Sequence, residues 1–147
     1  MRLIKKFEEF ILEGIVKAQS PDASRARFLM KESERDFEYL RKLVKTMGVN
    51  EDGANSMIKL AYDVLMESVR AIMLLKGYNA VGPGAHEAEV SYLLKLNFSE
   101  NDAQFADRLR YLRNRMMYYG KILDREYALQ VLEFTERVLP RVISGSK

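Results

Sequence analysis

The sequence predicts an all-α protein: an antiparallel up-and-down helical bundle of four to five main helices plus a short N-terminal helix. Three observations carry this. Apolar residues recur at spacings of three and four in five separate stretches, which puts them on one face of an α-helix. Only three prolines and eight glycines occur in 147 residues, so long helices are possible. No segment reads as a strand, and no internal repeat or low-complexity tract is present.

The first helix occupies residues 1–19, with Ile4, Phe7, Ile11 and Ile15 as its stripe and Gly14 weakening or ending it. It packs on the main body or reaches a neighbouring subunit. Ser20-Pro21-Asp22 starts the second helix. Ser caps the first free amides, Pro suits the first helical position and Asp suits the positive helix end. The stripe of this helix runs from Ala26 through Ser33, Phe37 and Leu40 to Met47, and Gly48 stops it. A polar turn over residues 49–56 leads into a long helix that reaches Lys76. Near its end Ala71-Ile72-Met73-Leu74-Leu75 is apolar all round, which implies burial on more than one side, in the core or at a subunit interface.

Gly77 to Gly84 is a break, and a short helix follows from His86 to Leu96. Gly82-Pro83-Gly84 is not read as a phosphate-binding loop, because it lacks a preceding strand and the spacing. Ser99 caps the next helix, with Asp102 at its third position and Gly120 at its end. Asp124 caps the last helix, whose stripe includes Ala128, Val131, Thr135, Val138 and Val142. Residues 144–147 fray. The whole chain, 1–147, reads as one domain.

Composition narrows the chemistry. With 48% apolar and 31% charged residues, the balance is that of a soluble globular chain. The absence of cysteine excludes disulfides and thiolate sites, and the single His86 excludes a multi-His metal site within one chain. Neither a metal nor a cofactor is expected. Ala71 to Leu75 is the longest unbroken apolar run, far short of a membrane span. Glu8, Glu9 and Glu13 interrupt the apolar region that a secretory signal needs. The expectation is a cytoplasmic protein. Glu32, Glu34, Asp36 and Glu38 resemble a ligand set, but spacings of two place them around their helix rather than on one face.

The chemistry concentrates between Phe105 and Gly120. Phe105, Leu109, Leu112 and Met116 form the helical stripe, and five Lys or Arg residues with no Asp or Glu lie between Arg108 and Leu123. The net charge of the whole chain is only +3, so this positive charge is local. Arg113 lies four residues after Leu109, at the edge of the stripe. A guanidinium is costly to bury unpaired and matches phosphate oxygens with a planar fork of donors. Arg113-Asn114 is therefore a candidate phosphate or RNA-backbone site, with Arg110, Arg115 and Lys121 as further nucleotide-binding candidates.

Three pieces in this order, Leu74-Leu75-Lys76-Gly77-Tyr78, His86-Glu87-Ala88 and Leu112-Arg113-Asn114-Arg115-Met116-Met117-Tyr118-Tyr119-Gly120, resemble the HEPN family over about residues 20–143. HEPN domains are helical domains often paired with minimal nucleotidyltransferases in prokaryotes. The resemblance implies a homodimer formed through the motif-bearing helices and a nucleotidyltransferase-like partner, as in a toxin–antitoxin pair. It also implies metal-independent RNA cleavage in active members, by an Arg, a polar residue and a His four to six residues after the Arg. Carried over, these fall on Arg113, Asn114 and Tyr118. Tyr118 stands where the His is expected, and an unperturbed phenol, with a pKa near ~10, is a poor base. The reading is a HEPN-like binding module; the alternative is a ribonuclease with a degenerate motif. His86 is the other imidazole available, and nothing in the sequence brings it to Arg113.

Overall fold

The computed structural model describes residues 3–120 and 123–145, with the backbone alone at 117–119. Helix α1 (Phe7–Leu12) leads into strand β1 (Val16–Ala18), and α2 (Ala23–Met47) and α3 (Ala54–Leu75) follow. Strand β2 (Tyr78–Ala80) precedes α4 (Ala85–Lys95), α5 (Glu100–Tyr119) and α6 (Arg125–Ser144). The long helices α2, α3, α5 and α6 alternate in direction, giving the expected all-α up-and-down bundle.

Helix α3 is its centre. Fourteen of its 22 residues are buried, and α2, α4, α5 and α6 all pack on it. Ala71 to Leu74 are buried within the chain itself, which accounts for a segment that is apolar all round. The four charged residues of α3, Lys59, Asp63, Glu67 and Arg70, recur at spacings of four, four and three. They form one polar stripe on a helix otherwise given over to the core.

The N-terminal helix is shorter than its stripe suggests. It stops at Leu12, Gly14 turns the chain with φ +77°, and Val16–Ala18 pairs antiparallel with Tyr78–Ala80, Val16 opposite Ala80. Two expectations are corrected here: residues 1–19 are not one helix, and the chain does contain strands. A strand also precedes Gly82-Pro83-Gly84, although the loop still lacks the spacing of a phosphate-binding loop. The ribbon seals on Gly77, whose carbonyl accepts a hydrogen bond from the Gln19 amide at 2.8 Å. A Cβ at Gly77 would lie 2.6 Å from the Gln19 carbonyl oxygen, and φ is +86°, so only glycine fits there. Helix α1 packs on the body of the same chain, with the Phe7 ring edge-on to Tyr78 and Tyr92 at 5.2 and 4.8 Å.

The caps follow the sequence with one change. Ser99 and Asp124 accept the amides of Asp102 and Tyr127 at 3.1 and 2.9 Å. Helix α2 is capped by Asp22 rather than Ser20: the Asp22 carboxylate accepts the Arg25 amide at 3.0 Å. The Asp22 amide itself bonds the Leu74 carbonyl, so residues 19–22 serve to cross from the ribbon to the end of α3 before the helix begins. No described helix is long and apolar enough to cross a membrane.

Candidate functional site

Helices α3, α4 and α5 enclose a polar cleft of about 320 Å³. From α5 it takes Arg110, Arg113 and Asn114, from α4 His86, and from α3 Tyr62, Asp63, Glu67 and Arg70. One helical face of α5 supplies the first group, since residues three and four apart are neighbours. The polar stripe of α3 supplies most of the last.

Each cleft arginine meets a carboxylate. Arg113, whose side chain is 25% exposed, donates through Nε and Nη2 to the two oxygens of Asp63 at 2.7 and 2.9 Å. The sequence leaves the partner of a half-buried Arg113 open, and Asp63 of the same chain is a partner that it finds. Arg110 bonds Asp107 at 2.8 Å, with Glu87 4.0 Å away. Arg70 forms a two-pronged pair with Glu89 at 2.8 and 3.0 Å.

Glu89 is the most deeply placed of these acids, at 3% exposure. Burial opposes its charge, but hydrogen bonds from His86 and Arg70 outweigh it and hold the carboxyl below the usual carboxylate range. The other Glu89 contact is His86 Nδ1, at 3.2 Å. A carboxylate on Nδ1 fixes the tautomer of a neutral imidazole with the proton on that nitrogen, leaving the Nε2 lone pair as a proton acceptor. Histidine and Arg113 thus line one cleft within a single chain, a juxtaposition that no local pattern announces.

Two further groups find no hydrogen-bond partner among the described residues. The Tyr62 hydroxyl and one Glu67 oxygen are buried without a hydrogen bond. Burial first, and then the Glu89 carboxylate, keep the Tyr62 phenol above its usual range, so it remains an O–H donor. Burial also raises Glu67, followed by Asp36 and Glu32 of α2. Those two acids are four residues apart and act together on Glu67, whereas the sequence scatters the four α2 carboxylates around the helix. No group of His, Asp or Glu suited to a metal occurs among the described residues.

The structure divides the predicted nucleotide-binding residues. Arg110 and Arg113 line the cleft, while Arg115 lies over the Tyr111 ring at 5.8 Å. Helical geometry sets Arg115 roughly 140–160° around α5 from those two. Lys121 and the Tyr118 side chain lie outside the described residues; the Tyr118 backbone belongs to α5. Sequence reasoning missed Asp63, Glu67 and Arg70, while Glu89 stood in it, with Glu87, only as a sequence neighbour able to tune His86. The periodic charges of α3 were the available signal for these three. The chain matches no family model, and no curated protein is similar enough to match it.

Proposed function

We propose that this is a HEPN-like binding module whose α3–α4–α5 cleft holds a single phosphate group of a nucleotide or an RNA backbone. The observation that carries the reading is the convergence of Arg110, Arg113, Asn114 and His86 on one cleft of small-ligand size. Asp63 holds the Arg113 fork in place, and an incoming phosphate exchanges with that carboxylate. The Asn114 amide adds a neutral donor. The resemblance adds a homodimer, with the cleft edges of α5 turned toward each other, and a nucleotidyltransferase-like partner protein. Sedimentation of the purified protein and its co-purification from native extract test those two points.

Calorimetric titration with nucleoside monophosphates tests the cleft. Arg113→Ala is expected to weaken binding at least tenfold, the loss of one charge-assisted pair. Unchanged binding in that variant overturns the reading.

One observation favours metal-independent RNA cleavage as a second reading: His86, held by Glu89, lines the same cleft as Arg113. In this reading His86 Nε2 takes the proton of a ribose 2′-hydroxyl, and the oxygen bonds to phosphorus. The bond to the 5′-oxygen breaks, and the histidine returns its proton to that leaving oxygen. The products are a 2′,3′-cyclic phosphate and a 5′-hydroxyl. Incubation of RNA with excess chelator distinguishes the readings. Cleavage lost in both Arg113→Ala and His86→Ala establishes the enzyme; no cleavage by the intact protein leaves the binding module.

A further inference from the structure

The cleft deepens from His86, whose side chain is 67% exposed, past the half-buried Arg113 to the buried Tyr62 and Met66 of α3. Tyr62 is 6% exposed, and at this depth its hydroxyl finds no hydrogen bond among the described residues. Burial acts first on this phenol, and then the charges of Glu89, Arg110, Asp63 and Arg113, so the hydroxyl lies among the charged groups of the cleft. A buried O–H with no acceptor is costly, and phenylalanine fills the same space without that cost. An acceptor that enters from the cleft accounts for a tyrosine at this position.

We infer that the cleft takes a terminal phosphate monoester rather than a phosphate inside a chain, and that Tyr62 makes the choice by donating its hydroxyl to a terminal phosphate oxygen. The inference rests on the phosphate-binding reading of the cleft. A monoester has three terminal oxygens, and a diester has two. The Arg113 fork takes two of them, as it takes the two Asp63 oxygens at 2.7 and 2.9 Å. Tetrahedral phosphorus then directs its other two substituents away from the fork. In a monoester one of these is an oxygen, which goes down to Tyr62, and the other is the ester link, which leaves toward the mouth. In a diester both are ester links, and the inner one has to pass the buried Tyr62 and Met66 side chains. Asp63 follows Tyr62 on α3, so the carboxylate that gives up the Arg113 fork to the phosphate also opens the way to the hydroxyl. Tyr62 is a specificity-determining residue in this arrangement, and no bond of the ligand is made or broken.

The test is calorimetric titration of the full chain with adenosine 5′-monophosphate and with its methyl ester, a diester of the same base and sugar. The intact protein is expected to bind the monophosphate at least tenfold more tightly. The second negative charge of a monoester favours it at any cationic site, so a variant carries the assignment to Tyr62. Tyr62→Phe is expected to weaken monophosphate binding about tenfold, the loss of one charge-assisted hydrogen bond, and to leave the methyl ester unchanged. Without ligand, the Tm of this variant is expected to equal or exceed that of the intact protein, because a buried hydroxyl without an acceptor is removed.

The outcomes separate the two readings. No binding by the intact protein, or an Arg113→Ala variant that binds the monophosphate as the intact protein does, removes the phosphate reading and this inference with it. Where Arg113→Ala weakens binding and Tyr62→Phe does not, the phosphate reading stands and the choice of a terminal monoester by Tyr62 is overturned. The same holds if Tyr62→Phe weakens monophosphate and methyl ester alike, or if the intact protein binds the two equally. A lower Tm of Tyr62→Phe without ligand assigns the hydroxyl to holding the fold and also overturns the inference.

Discussion

Two sides of one helix use arginine in opposite ways. Toward α3 and α4, Arg110 and Arg113 are set among carboxylates, with Arg70–Glu89 beneath, and the cleft is close to electrically balanced. Toward α6, Arg137 and Arg141 lie against the Phe134 and Phe98 rings, and Arg137 also pairs with Asp102. A carboxylate fixes a guanidinium and cancels its charge at the same time. An aromatic ring orients it and leaves its charge expressed toward solvent. The cleft therefore fixes its arginines by charge, and the seam with α6 adds ring contacts to its own. Local sequence does not separate the two uses, because both sets are arginines set beside apolar helical stripes.

The largest effect that tests this contrast is on stability. Glu89→Gln leaves Arg70 without its buried counter-charge and is expected to cost about 3 kcal/mol, seen as a lower denaturant midpoint. Arg141→Ala on the seam is expected to cost less than about 1 kcal/mol. The pH dependence carries a sign. The folded-state pKa of Glu89 is depressed, so its contribution is present above the ordinary carboxylate range. It is lost as pH falls through the folded value. Unaltered protein and Glu89→Gln should therefore converge in stability on acidification. A gap that persists in acid would mean that the variant disrupts packing rather than charge.

The residues of the cleft were not equally legible. Helix α5 could be read because its stripe, its Ser99 cap and its arginines are all local, written within twenty residues. Of the acids that balance it only Asp107 is local; Asp63 and Glu87 sit on α3 and α4, fifty and about twenty residues away in the chain, and only packing brings them together. Even so, Lys59, Asp63, Glu67 and Arg70 mark a polar face on an otherwise apolar helix, a pattern that a closer count of α3 exposes. The ribbon was illegible for a different reason. Val16-Lys17-Ala18 is too short to show alternation, and its partner lies some sixty residues later, so nothing local distinguishes it from the fraying end of a helix. Gly14 and Gly77 were visible, but the need for glycine at Gly77 comes from the Gln19 carbonyl, which the fold places there.

A middle-sized effect sharpens the contrast by changing the cleft into something more like the seam. Asp63→Asn keeps the side-chain shape and removes the charge that occupies the Arg113 fork. The pair is partly exposed, so its competition with a ligand is worth up to about 1 kcal/mol. Nucleoside monophosphate affinity should rise up to about fivefold in calorimetry. A fall in monophosphate affinity would mean that Asp63 positions Arg113 more than it competes for it.

The smallest effect concerns Glu67, the acid of the cleft with one oxygen that finds no hydrogen bond among the described residues. Burial, then Asp36 and Glu32, raise its pKa, so the folded protein binds this proton more tightly than the unfolded chain does. The sign is the reverse of Glu89: the stabilising share is present in acid and is lost as pH rises through the folded value. At neutral pH the charge on Glu67 is a cost, and Glu67→Gln removes it. Solvent reaches the side chain, so the gain is modest, a Tm higher by about 1 °C. The difference should vanish below the unfolded carboxylate value of about 4.3. A variant equally stabilised at every pH would owe its gain to packing, and one destabilised at neutral pH would mean that the Glu67 carboxylate holds the α2–α3 contact together. Only the predicted pH dependence marks Glu67 as a charge the fold tolerates for the sake of the cleft.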